Sequence, residues 1–179
     1  MGTSVDNISK LLALPDTSTP KGKRDYALLR CLWDLGLRRA EAAGLSWGDF
    51  DQNEGTLMVM GKGRISKVKI PLAPKTVQAL TALKKGADNS PIFTSFDRRG
   101  VGKRLTDKGI YKLVKEYSSR VEGGKILSPH KIRHSAITAV LDASNGNVRL
   151  AQNLSRHKNT DKWVQKINYQ FLTPQALML

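Results

Sequence analysis

The fold turns on Ser128-Pro129-His130-Lys131-Ile132-Arg133-His134. Ser128 is a strong N-cap residue and Pro129 suits the first helical position, so a helix starts here. Ile132, Ala136, Ile137 and Val140 recur at helical spacing and carry it to Leu141. His130 and Arg133 stand three apart, on one face of the first turns. A helix start points free N–H groups and partial positive charge outward, which suits a phosphate. One short segment therefore offers a guanidinium, an imidazole and a helix terminus to the same anion.

The chain before this segment divides by period. Val5 to Ala13 has a short helix pattern, and Leu14 to Lys23, with two prolines and a glycine, reads as a loop. Asp25 to Leu35 is a strong helix with Leu28, Leu32 and Leu35 on one face, ended by Gly36. Arg39 to Gly44 makes another helical turn. The period then changes to two. Val68, Ile70 and Leu72 alternate with Lys67, Lys69 and Pro71, and the apolar run Leu57 to Met60 pairs with them as a hairpin. Lys62, in Gly61-Lys62-Gly63, lies at or near its tip. Ser46 to Asp51 supplies a third strand. Further helices are expected over Pro74 to Leu83, Thr106 to Tyr117, Val148 to Leu154 and Asp161 to Phe171, with a brief extended piece at Ile92 to Thr94. The expected class is α+β and mainly α-helical, with a small antiparallel three-stranded sheet.

Composition points to the partner. Thirty Lys and Arg face 15 Asp and Glu in 179 residues, a formal net charge of +15. Such an excess favours a polyanion, bound in a strongly salt-dependent way. A basic structural protein without chemistry has the same charge. Cys31 is the only cysteine and sits among leucines, so no intrachain disulfide forms and a buried thiol in a reducing compartment is expected. No run of about 18 apolar residues suggests a membrane span.

Single residues are weak signals. Arg38 follows a helix stop, and Glu41 three residues on can orient Arg38 or Arg39; alone, this is an ordinary surface ion pair. Lys62 is either a common turn-tip lysine or a mobile proton donor; the phosphate-loop pattern Gly-x4-Gly-Lys-Ser/Thr is absent. His130 and His134 have metal-ligand spacing, but two histidines beside Arg133 make a poor cation site, so no metal is expected. His157 occupies a polar corner between helices, and Tyr169 reads alone as a core or interface tyrosine.

Together and in order, these residues resemble the tyrosine recombinases, or phage-type integrases. The first family box corresponds to Leu35-Gly36-Leu37-Arg38-Arg39-Ala40-Glu41, continuing to Leu45-Ser46-Trp47-Gly48-Asp49. The hairpin lysine corresponds to Gly61-Lys62-Gly63. The second box corresponds to His130-Lys131-Ile132-Arg133-His134 and then Leu154-Ser155-Arg156-His157. The resemblance runs from about Val5 to Tyr169.

The resemblance implies a tyrosine-recombinase catalytic-domain fold over residues 1–179, without the amino-terminal core-binding domain that most relatives carry. It implies double-stranded DNA as substrate, cut and rejoined through a 3′-phosphotyrosyl link without metal, ATP or other cofactor. Arg38 and Arg133 would bind the scissile phosphate. His130 and His157 would hydrogen-bond it, and Lys62 would protonate the leaving 5′ hydroxyl. Glu41 fills the helper-carboxylate position, and Tyr169 would attack phosphorus. The implied assembly is a homotetramer on synapsed DNA, monomeric or weakly associated when free. The implied setting is the bacterial cytoplasm and nucleoid. In most relatives the nucleophile stands nine residues after the second-box histidine; here Lys166 holds that position and Tyr169 is twelve on. A non-catalytic DNA-binding protein on the same fold is the alternative, with a type IB topoisomerase as a third possibility.

Overall fold

A computed structural model describes residues 4–61, 65–98, 100–121, 123 and 126–155. Its helices are α1 (Val5–Ala13), α2 (Pro20–Asp34), α3 (Arg39–Ala43), α4 (Pro74–Thr81), α5 (Asp107–Ser119), α6 (Pro129–Ala143) and α7 (Val148–Ser155). Its strands are β1 (Phe50–Asp51), β2 (Thr56–Met60) and β3 (Lys67–Pro71). They pair antiparallel in the order β1-β2-β3. The expected class, helical with a small three-stranded sheet, is the observed one. No helix among the described residues is long and apolar enough to cross a membrane.

Two boundaries differ most from expectation. α2 starts at Pro20, not Asp25. Thr19 caps it by accepting the Gly22 N–H at 3.0 Å. The Thr19 hydroxyl in turn donates to the Asp16 carbonyl at 2.9 Å. A Cβ on Gly22 would sit 1.8 Å from that same carbonyl oxygen, so the glycine marks close approach inside a helix rather than a loop. The first strand is also shorter than Ser46–Asp51. Ser46 leads into a 3-10 turn over Trp47–Asp49, closed by Ser46 N–H donating to Asp49 Oδ2 at 3.0 Å. Only Phe50 and Asp51 then remain to pair, with Leu57 and Thr56.

α2 is the central helix. It packs on α1, α3, α4 and α6. Leu28, Leu29, Cys31 and Leu32 are almost wholly buried in it. Burial also pushes the Cys31 thiol well above its ordinary pKa, so this cysteine is inert core, as expected. β2 sends Leu57 and Val59 into the same core, opposite Ile70 and Val68 of β3. The other sheet face carries Met58 and Met60 opposite Lys69 and Lys67. A separate, smaller cluster of Ile137, Leu141 and Ala151 holds α7 to the second half of α6.

One ionic network lies inside this core. Asp25 is fully buried and accepts from Arg24 Nε, from Lys21 Nζ at 3.1 Å and from the Tyr117 hydroxyl at 2.8 Å. Burial, then the bond to Asp25, raises the Tyr117 pKa far above the usual tyrosine value. Tyr117 is thereby structural.

Candidate active site

The site is built where α2 stops. Gly36 has φ +52°, in the left-handed region, and a Cβ there would meet Leu154 of α7 at 3.4 Å. Glycine thus serves the turn, while a Cβ would make only an ordinary contact with α7. Leu37 returns to the core, and Arg38 takes an extended backbone as the N-cap of α3.

Glu41 holds Arg38 twice. Its Oε2 accepts the Arg38 backbone N–H at 2.8 Å, and its Oε1 accepts Arg38 Nη1 at 2.7 Å. The Glu41 side chain is only 3 % exposed while that of Arg38 is 28 % exposed. A buried carboxylate hydrogen-bonded to both backbone and guanidinium is a fixed support, not a surface ion pair. The choice between Arg38 and Arg39 is thus settled: Glu41 orients Arg38.

α6 starts as expected. Ser128 Oγ accepts the Lys131 N–H at 3.3 Å and Pro129 opens the helix. His130 is exposed and His134 half-buried. Arg133 is buried, one turn along. Its Nη1 donates to the Gly36 carbonyl and its Nη2 to the Ser155 carbonyl. The guanidinium therefore clamps the end of α2 to the end of α7.

These residues line one open cleft of about 360 Å³: Arg38 and Arg133, with His130 and the Ser128–Pro129 start of α6. Two residues missed in sequence complete it, Arg39 and Tyr111. The Arg39 guanidinium sits 5.9 Å from the centre of the Tyr111 ring and 3.5 Å from Asp107. Three guanidiniums and a helix start on one cleft form a strongly anion-favouring surface.

Arg38 also lines a second hollow, facing the sheet. Met58, Met60, Gly61 and Lys67 form its far side, so the hairpin lies across Arg38 from the α6 start. Lys67 Nζ pairs with the buried Asp49 carboxylate. The alternation of β3 had placed Lys67 opposite the core face; its partner was not readable. Lys62, His157, Tyr169 and the expected helix Asp161 to Phe171 lie outside the described residues.

Comparison with known proteins agrees with this architecture. The Phage integrase family model matches residues 3–166, which includes Arg38, Lys62, His130, Arg133 and His157 but stops short of Tyr169. A tyrosine recombinase of Synechococcus elongatus is 45% identical over 165 residues, 89% of this chain and 52% of that protein. The chain thus spans about half the length of the curated relatives it matches. Among solved structures, XerA recombinase superposes with a TM-score of 0.74 at 22% identity, over 99% of this chain and 62% of that one. XerH recombinase bound to its difH substrate gives 0.71 at 19% identity, over 97% and 50%. With the two family boxes folded onto one cleft and the family model covering nearly the whole sequence, the chain belongs to the phage integrase family.

Proposed function

We propose that residues 1–179 are the catalytic part of a site-specific DNA recombinase that cuts and rejoins double-stranded DNA through a 3′-phosphotyrosyl intermediate. The observation that carries this is the convergence of Arg38, Arg133 and His130 on one cleft, with Glu41 and two backbone carbonyls fixing the guanidiniums. The Tn1549 transposon integrase, which shares the fold with a TM-score of 0.67, is in complex with a circular intermediate DNA.

The chemistry follows from the charges. A tyrosine hydroxyl has a pKa of about 10 and is a poor nucleophile at neutral pH. When it attacks phosphorus, negative charge grows on the phosphate oxygens. Arg38 and Arg133 meet that charge with donors whose position is already paid for by folding. His130, exposed at the start of α6, hydrogen-bonds the phosphate and assists proton transfer. Lys62 protonates the leaving 5′ oxygen, and His157 adds a further hydrogen bond. Tyr169 is the nucleophile. The phosphotyrosyl link conserves the bond energy, so rejoining needs neither ATP nor a metal. Recombination of two duplexes calls for a homotetramer on synapsed DNA, with the free protein monomeric or weakly associated. Bacterial nucleoid DNA is the natural substrate.

The test is covalent capture on nicked duplexes with randomised arms. The wild-type protein is expected to yield a protein–DNA adduct resistant to denaturant. Tyr169→Phe abolishes it, and Arg133→Ala slows it by about 10²–10³. An adduct that persists in Tyr169→Phe overturns the nucleophile assignment. Salt-sensitive binding with no adduct favours the second reading, a DNA-binding protein that does not cut. That reading is motivated by Tyr169 standing twelve residues after His157 and outside the family match.

A further inference from the structure

The cleft of about 360 Å³ has more cationic lining than the chemistry of one phosphate uses. Arg38, Arg133 and His130 account for one part of it. Arg39 and Tyr111 line it too and have no part in the chemistry proposed for the scissile phosphate. Arg39 immediately follows Arg38 but opens α3, and its side chain turns to α5 rather than to Glu41.

We propose that Arg39 and Tyr111 form a second phosphate subsite, which takes a backbone phosphate neighbouring the scissile one and sets the register of the DNA strand in the cleft. This rests on the strand-cutting function proposed above. The side chain of Arg39 is 48 % exposed, so its guanidinium is open to a ligand. The Tyr111 ring, 5.9 Å away and itself 39 % exposed, gives it a flat support from α5. Asp107, 3.5 Å from Arg39 Nε and 43 % exposed, is a weak surface partner that a phosphate can displace. A DNA strand offers a regular series of phosphates, so occupation of the catalytic position brings the next one to the cleft mouth. Phosphate contacts of this kind fix register without reading bases.

Three substitutions separate the roles. Arg39→Gln is expected to weaken duplex binding about tenfold, as for loss of one charge-assisted bond. It also reduces the slope of log affinity against log salt by about 1. Tyr111→Phe keeps the ring and binds as wild type, whereas Tyr111→Ala loses several-fold. Asp107→Asn removes the competitor and tightens binding.

The deciding experiment neutralises single phosphates of a bound nicked duplex as methylphosphonates, one position at a time around the cleavage point. At one neighbouring position the wild-type protein loses about tenfold, and Arg39→Gln adds nothing further. Arg133→Gln shows the same non-additivity at the cleavage point itself. If Arg39→Gln is additive with methylphosphonate at every position, the second subsite is wrong. If Arg133→Gln is additive everywhere too, the cleft is not a phosphate site and the proposed function falls with it.

Discussion

Arg133 is a structural clamp that also lines the candidate cleft. A lysine has the charge but not the fork, and cannot reach the Gly36 and Ser155 carbonyls together. Tyr117 is the opposite case, an aromatic hydroxyl withdrawn from chemistry. Its pKa is raised in the folded protein, by burial and by Asp25. Below about pH 10 both folded and unfolded forms keep the proton, and its contribution to stability is complete. Above that, the unfolded chain loses the proton first and binds fewer protons than the native one. Stability therefore falls as pH rises through and beyond 10. Tyr117→Phe is expected to cost about 1–2 kcal/mol at neutral pH, by depriving Asp25 of a donor. The same variant should lose less stability than wild type between pH 9 and 11, approximately, in urea titrations. An alkaline decline as steep as that of wild type would rule out Tyr117 as a source of it. Arg38 and His130 were readable because each stands at a helix boundary with its own sequence signal, and Arg133 because it lies one turn further on the same face of α6. Asp25 and Tyr117 were not, because a buried ion network joins positions far apart in sequence and leaves no periodic trace.

At the scale of elements, α2 carries the most information about how local signals compete. Pro20 and Gly22 resemble loop residues, yet they begin the central helix of the core. Proline has no N–H to lose at a helix start, and Gly22 is needed where the Asp16 carbonyl comes within reach of a Cβ. The two rules can be separated by stability measurements. Thr19→Ala removes only the cap and should cost about 1 kcal/mol. Gly22→Ala must move the Asp16 backbone and should cost more, although alanine is the better helix former. Urea midpoints with unchanged m-values would report this order, and a stabilising Gly22→Ala would refute the close approach. The hairpin was legible for a different reason. Its alternation specifies which residues face the core, and Leu57, Val59, Val68 and Ile70 do so. Alternation says nothing about the partner of an outward residue, so the bond from Lys67 to Asp49 had no sequence signature.

Across the whole molecule, the periodic faces of α6 and α7 were visible, but periodicity does not say which face meets which. The described core divides at α6. Ile132 belongs to the large cluster around α2, whereas, among the described residues, Ile137 and Leu141 cluster with Ala151, Val148 and Leu154 around α7. Arg133 lies at the division and bonds to both sides. Among the described residues, few buried apolar side chains hold α7, so its local opening should cost less than global unfolding. Amide exchange in α7 is expected to be faster than in α2, which is enclosed on several sides. Leu141→Ala should accelerate exchange in α7 while shifting the urea midpoint little. Leu32→Ala, at a fully buried position in α2, should instead destabilise the whole protein by about 2–5 kcal/mol. Opening of α7 withdraws the Ser155 carbonyl from Arg133, so Leu141→Ala should also weaken DNA binding at the proposed phosphate site more than its small effect on stability would suggest. If α7 and α2 exchange at one common rate, the two clusters are a single cooperative unit and Arg133 is held as firmly as the core itself.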